Sequence, residues 1–118
     1  MKLLIVDDSN MIRQAINVWA NKLKLDVVGQ AKNGLEAIEM VQKHEPDLVT
    51  LDITMPELDG LMALVKIKAI KPDCKVIIIS ALASKEVAIE ALSKGAETFV
   101  QKPFNEKDLV EAIQEVME

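Results

Sequence analysis

The chain predicts an α/β fold, (βα)5, in which strand and helix alternate five times and a doubly wound parallel five-stranded sheet carries helices on both faces. Three observations predict it. Apolar runs of strand length recur five times, segments of helical periodicity fall between them, and helix start and stop residues punctuate the alternation. Short strands separated by helices pair in parallel through right-handed crossovers, which puts the helices on both sides of an open sheet.

Each element follows in order along the chain. The first run, Leu3 to Val6, is apolar throughout, as a strand covered on both faces must be. Ser9 stands where an N-cap belongs, and Ile12, Ala15, Ile16, Trp19 and Leu23 then form one apolar stripe at helical spacing. Val27 to Val28 marks the second strand. Asn33 caps a second helix, which Pro46 stops, and Leu48 to Leu51 is the third strand. The third helix ends ahead of Pro72, and Val76 to Ile79 is the fourth strand. Ser84 is the cap candidate for the fourth helix, whose stripe of Val87, Ala88, Ala91 and Leu92 is small and apolar and stops at Gly95. Thr98 to Val100 is the fifth strand, and Asn105 caps a last helix with the stripe Leu109, Ile113 and Val116.

The 118 residues suit one domain, spanning 1–118, with a single hydrophobic core; half of them are hydrophobic and 28% are charged, the balance of a globular protein. The net charge of -5, with no local Lys/Arg cluster, argues against direct binding to nucleic acid or to anionic lipid. The opening apolar run meets Asp7 and Asp8 at once, so it makes neither a signal-peptide core nor a membrane span, and a cytoplasmic location is expected. Cys74, the only cysteine, excludes an internal disulfide and fits a reducing compartment; it is expected to serve as a small buried or half-buried apolar side chain. The six methionines and Trp19 are expected to fill the core, and His44 to lie at the surface near a helix end.

In open α/β sheets, ligands gather beyond the carboxyl ends of the strands. That rule selects the loops Asp7 to Ser9, Gln30 to Asn33, Asp52 to Gly60, Ser80 to Ser84 and Gln101 to Asn105 before any motif is sought. Asp7 and Asp8 end the first strand and Asp52 ends the third, so three carboxylates converge on one crevice. A lone Asp after a strand is ordinary turn chemistry. Three of them repel unless a cation joins them, and Mg²⁺ takes oxygen ligands from a few carboxylates while keeping several waters. Asp8 and Asp52 are the expected direct ligands, with Asp7 acting through water. A carboxylate is also a nucleophile toward phosphorus when positive charge offsets the phosphoryl oxygens, and Asp52 is best placed for that role.

Two further residues fit the same chemistry. Lys102 follows the fifth strand and precedes Pro103, which biases it toward extended backbone and fixes where its side chain departs. Lys102-Pro103 is also a pair at which the cis form is accessible. Ser80 ends the fourth strand, where its hydroxyl can donate to a phosphoryl oxygen when one is present. Ser84 is the better cap for the next helix, which leaves Ser80 as a sensor.

Taken together, these residues resemble response-regulator receiver domains, most closely the single-domain CheY-like chemotaxis type. The likeness runs from Leu4-Ile5-Val6-Asp7-Asp8-Ser9 through Asp52-Ile53-Thr54-Met55-Pro56 and Asp59-Gly60 to Lys102-Pro103-Phe104. It implies the flavodoxin-like strand order 2-1-3-4-5, of which CheY is itself a standard example. It also implies that Asp52 is the phosphoacceptor, Asp7 and Asp8 the acid pair, Thr54 a Mg²⁺ ligand through its backbone carbonyl, Lys102 the phosphate-contacting lysine and Ser80 the hydroxyl switch. Phe99 falls at the aromatic switch position, where a tyrosine is common; phenylalanine can turn inward without a hydrogen-bond partner. The two positions that tune phosphate lifetime are Thr54 and Leu82, neither charged nor an amide, and slow dephosphorylation is expected.

The resemblance further implies a histidine kinase as phosphodonor, catalysis limited to the domain's own phosphorylation and dephosphorylation, and an unidentified protein target at the face of the fourth helix, fifth strand and fifth helix. A monomer is expected, and chemotaxis is the expected process. A receiver cut from a longer regulator with an output domain is the alternative. An aspartate-nucleophile phosphatase would want Asp-x-Asp after the first strand, where the chain has Asp7-Asp8-Ser9. A flavin-binding redox module would want a Ser/Thr/Gly-rich phosphate loop there, and a receiver fold used only for binding would not need the full set of acids, hydroxyl and lysine.

Overall fold

The structure, a computed structural model, describes residues 1–53, 60–81 and 85–117. Its elements are β1 (Lys2–Val6), α1 (Asn10–Lys22), β2 (Asp26–Ala31), α2 (Gly34–His44), β3 (Leu48–Asp52), α3 (Gly60–Ile70), β4 (Lys75–Ser80), α4 (Lys85–Ser93), β5 (Thr98–Gln101) and α5 (Glu106–Met117). The five strands form one parallel sheet in the order β2-β1-β3-β4-β5, so the expected fold and strand order are found. Strand order reverses between β1 and β3, which opens a crevice beyond their carboxyl ends.

Alternation along the strands builds two cores. Leu4 and Val6 of β1, Val49 and Leu51 of β3 and Val76 and Ile78 of β4 face one side, where they pack with Ala37 and Val41 of α2, Ala63, Leu64 and Ile67 of α3 and Ala91 of α4. Leu3, Ile5, Leu48, Ile77 and Ile79 face the other side and meet Ile16 and Ala20 of α1 and Leu109, Ile113 and Val116 of α5. The three central strands are buried on both faces, which is why their sequences read as continuous apolar runs. Thr50 is the exception in β3: its buried Oγ1 has no hydrogen-bond partner among the described residues.

The caps act where the sequence places them. Ser9 Oγ accepts from Ile12 N at 3.3 Å and Asn33 Oδ1 from Glu36 N at 2.8 Å. Asn105 and Asp108 close a reciprocal pair, Asp108 N to Asn105 Oδ1 at 2.9 Å and Asn105 N to Asp108 Oδ2 at 3.2 Å. Ser84 lies outside the described residues. Cys74 is fully buried, as expected.

Three expectations need correction. β2 runs from Asp26 through Ala31, well beyond Val27 to Val28, because an edge strand needs only backbone pairing and tolerates polar residues on its outer positions. Its register with β1 shifts between Leu3 and Leu4, leaving Val28 as the extra residue of a bulge. Among the methionines, Met1, Met11, Met62 and Met117 are exposed rather than core, with Met40 packed at its margin and Met55 outside the described residues. Leu92 of α4 is likewise exposed, and Trp19 is half-buried, edge-on to Phe104 with ring centroids 6.1 Å apart. The central strands supply enough aliphatic side chains to fill both cores, so these larger residues remain at the margins.

Candidate functional site

β1 and β3 are adjacent and parallel, so their carboxyl ends deliver Asp7, Asp8 and Asp52 to the same mouth of the sheet. One carboxylate oxygen from each lies within 4.8 Å of the others. Asp7 and Asp52 are each only 1% exposed, whereas Asp8 is open to solvent. Such a set of hard oxygen donors fits a divalent cation of the Mg²⁺ type.

Lys102 enters from the end of β5. Its Nζ stands 3.0 Å from Asp7 Oδ2, as an ion pair, and 3.2 Å from Asp52 Oδ2, to which it also donates a hydrogen bond. Backbone pairing fixes where that side chain starts: Lys102 N donates to Ser80 O at 2.8 Å, and the Lys102-Pro103 peptide is cis. Ser80 itself is fully buried at the end of β4, in register with Gln101, and Asp52 is in register with Ile79. The acid, the hydroxyl and the lysine therefore stand on three neighbouring strands.

The electrostatics follow from burial. Desolvation pushes the Asp7 carboxyl up, opposed by the Ser9 N–H at 2.9 Å from Oδ1 and by Lys102, and reinforced by the charge of Asp52. For Lys102, burial pulls the other way, but the hydrogen bond and charge of Asp7 together with Asp52 outweigh it and hold the ammonium above its ordinary value. The lysine is thus the fixed cation of a buried cluster of acids.

Sequence reasoning brought Asp7, Asp8, Asp52, Ser80 and Lys102 together, and the fold does so too. Phe99 is half-buried in β5 and packs against the core that holds α2, α3 and α4. Thr54, Met55, Pro56, Asp59 and Leu82 lie outside the described residues. One contributor was missed. Arg13, one turn into α1, donates from Nη1 to Asp7 O at 2.6 Å and from Nη2 to Asn10 Oδ1 at 3.3 Å, which ties the helix to the acidic turn. A basic residue one turn after an acidic pair was its only signal. Gly60, part of the motif read above, begins α3 so close to β3 that an added Cβ would overlap Ile53 Cα and lie 2.7 Å from Asp52 O.

Comparison with known proteins adds to this geometry. A family model described as response regulator receiver domain matches residues 3–114. The chain is 45% identical over 114 residues to the chemotaxis protein CheY of Listeria monocytogenes, covering 97% of this chain and 96% of that protein. It is 41% identical over 116 residues to CheY of Bacillus subtilis, covering 98% and 97%. Among solved structures it is similar to a chain of the CheX-CheY-BeF3-Mg²⁺ complex from Borrelia burgdorferi, with a TM-score of 0.97, 32% identity and coverage of 100% of this chain and 90% of that one. Among the described residues, no helix is long and apolar enough to cross a membrane.

Proposed function

The chain belongs to the response regulator receiver domain family, and from that premise we propose that it takes a phosphoryl group on Asp52 from a histidine kinase and signals by changing its affinity for a protein target in chemotaxis. The observation that carries this reading is the buried Asp7, Lys102 and Asp52 constellation, with Asp8 beside it, at the crevice where strand order reverses. The reading also holds that the protein works in the cytoplasm as a monomer, and that its only catalysis is of its own phosphorylation and dephosphorylation.

Asp8 and Asp52 would hold Mg²⁺ directly, Asp7 through water and Thr54 through its carbonyl, where the ion would offset the charge of the phosphoryl oxygens. The Asp52 carboxylate oxygen attacks phosphorus; the bond from phosphorus to the donor imidazole nitrogen breaks, and that nitrogen keeps the electron pair and takes up a proton. Lys102, already cationic between two carboxylates, becomes a partner for a phosphoryl oxygen without reorganising its own strand. Ser80 supplies a hydroxyl donor from β4, and its motion frees or fills the space into which Phe99 turns. Hydrolysis of the acyl phosphate by water returns the Asp52 carboxylate and releases inorganic phosphate.

Intact mass after incubation with acetyl phosphate, with and without Mg²⁺, tests the reading. A Mg²⁺-dependent gain of one phosphoryl group, absent in Asp52→Ala, is expected; a chain that never gains mass, or an Asp52→Ala variant that gains it equally, refutes it.

A further inference from the structure

The outer edge of β5 and the flank of α5 enclose a groove of about 330 Å³. Residues Thr98–Gln101 line one wall and Asp108, Glu111 and Glu115 run along the other. Two features of this groove are independent of one another. First, β5 is the last strand of the sheet, so among the described residues no strand neighbours it on its outer side; an edge of this kind is a template for an extended chain. Second, the three acids recur at helical spacing on one exposed flank of α5, and none is in a salt bridge among the described residues, although Asp108 also accepts from Asn105 N. Among the described residues, no Lys or Arg lines the groove.

The opposite edge of the sheet differs. β2 has Lys24 and Lys32 just beyond its two ends, a placement that discourages strand addition. The lysine that follows β5 is Lys102, whose charge is turned toward Asp7 and Asp52.

We propose that the β5–α5 groove docks an extended segment of a partner protein, carrying Lys or Arg at alternate positions, as an added strand on the edge of β5. Alternate residues of a strand repeat every ~6.7 Å, and successive acids on the α5 flank rise by about 4.5 and 6 Å, so cations on one side of the added strand fall near the acidic row. Main-chain hydrogen bonds to β5 supply attraction indifferent to sequence, and the charge pairing selects the partner. The inference rests on the proposed switch in affinity for a protein target, which the family resemblance puts at the face of the fourth helix, fifth strand and fifth helix, and it adds the chemistry of that target. Phe99 lines the same groove and also packs against the core that holds α2, α3 and α4.

The test uses a short fluorescein-labelled peptide of alternating Lys and Thr, the same peptide with Glu in place of Lys, polarisation to measure binding, and amide NMR shifts to locate it. The basic peptide is expected to bind and to shift Thr98–Gln101 and α5, and the acidic one not to bind. Glu111→Lys with Glu115→Lys should weaken binding by about tenfold or more. Asp26→Lys with Glu39→Lys, the same charge change on β2 and α2, should leave it nearly unchanged. Equal loss in both double variants would mean general attraction to an acidic chain and would overturn the proposal, as would shifts centred elsewhere or equal binding of the acidic peptide. Asp52 phosphorylation is read separately by mass. A normal adduct without peptide binding sinks the groove alone, whereas binding without an adduct supports the groove and sinks the phosphoryl reading.

Discussion

Lys102 sits where two demands conflict. Its ammonium neutralises Asp7 and Asp52, and the same charge repels any cation those carboxylates would hold. Lys102→Ala should therefore bind Mg²⁺ more tightly, by roughly tenfold, followed through Trp19 fluorescence or calorimetry. It should also take a phosphoryl group from acetyl phosphate more slowly, because a fixed cation for the phosphoryl oxygens is gone. Weaker Mg²⁺ binding by the variant would show that the lysine shapes the site rather than competing in it. Leu82 poses a second residue-scale question. An apolar side chain cannot orient an attacking water, so Leu82→Glu is expected to speed loss of the phosphoryl group on the order of tenfold. Unchanged decay, timed by mass after removal of the donor, would refute a role for that position.

Between β3 and α3 the constraint is one of space. Gly60 begins the helix within reach of the backbone of Ile53 and Asp52, and its N donates to Ile53 O at 3.3 Å. A methyl group there must push the start of α3 or the end of β3 aside. Gly60→Ala should cost roughly 1–3 kcal/mol in urea unfolding and slow the labelling of Asp52, since the displaced atoms belong to the acceptor's own backbone. A variant of unchanged stability and labelling would mean that the start of α3 shifts without cost. The helices that carry the caps are less exacting, because Ser9, Asn33 and Asn105 satisfy backbone donors locally whatever the sheet does.

For the whole molecule, burial of a titratable group in the core ties stability to high pH. Cys74 is buried, and desolvation pushes its thiol up from 9.0 to about 11, only partly offset by the nearby charges of Lys71 and Lys68. The folded chain thus holds the thiol neutral at a pH where the unfolded chain ionises it. This contribution is fully present below pH 9 and is lost as pH rises through 11, roughly 3 kcal/mol in all. Urea midpoints at pH 7 and pH 10.5 should fall further for the parent chain than for Cys74→Ala, and equal falls would mean that the thiol meets water in the folded state. Native protein should also resist alkylation at pH 8.

Sequence alone determined the α/β alternation, because strands covered on both faces must be continuously apolar and helices must carry a stripe and a cap. It also determined the acids, hydroxyl and lysine of the site, because a parallel sheet delivers every residue after a strand to the same side. Tertiary structure decided the rest. The extent of β2 was illegible because an edge strand is held by backbone pairing, which side chains do not announce. Arg13 was missed because it acts through the Asp7 carbonyl, and backbone acceptors leave no trace in residue types. The exposure of Met11 and Leu92 depended on how much of the core other side chains had already filled. The acidic flank of α5 is plain in the sequence, yet only the placement of β5 at the end of the sheet turns it into the wall of a groove.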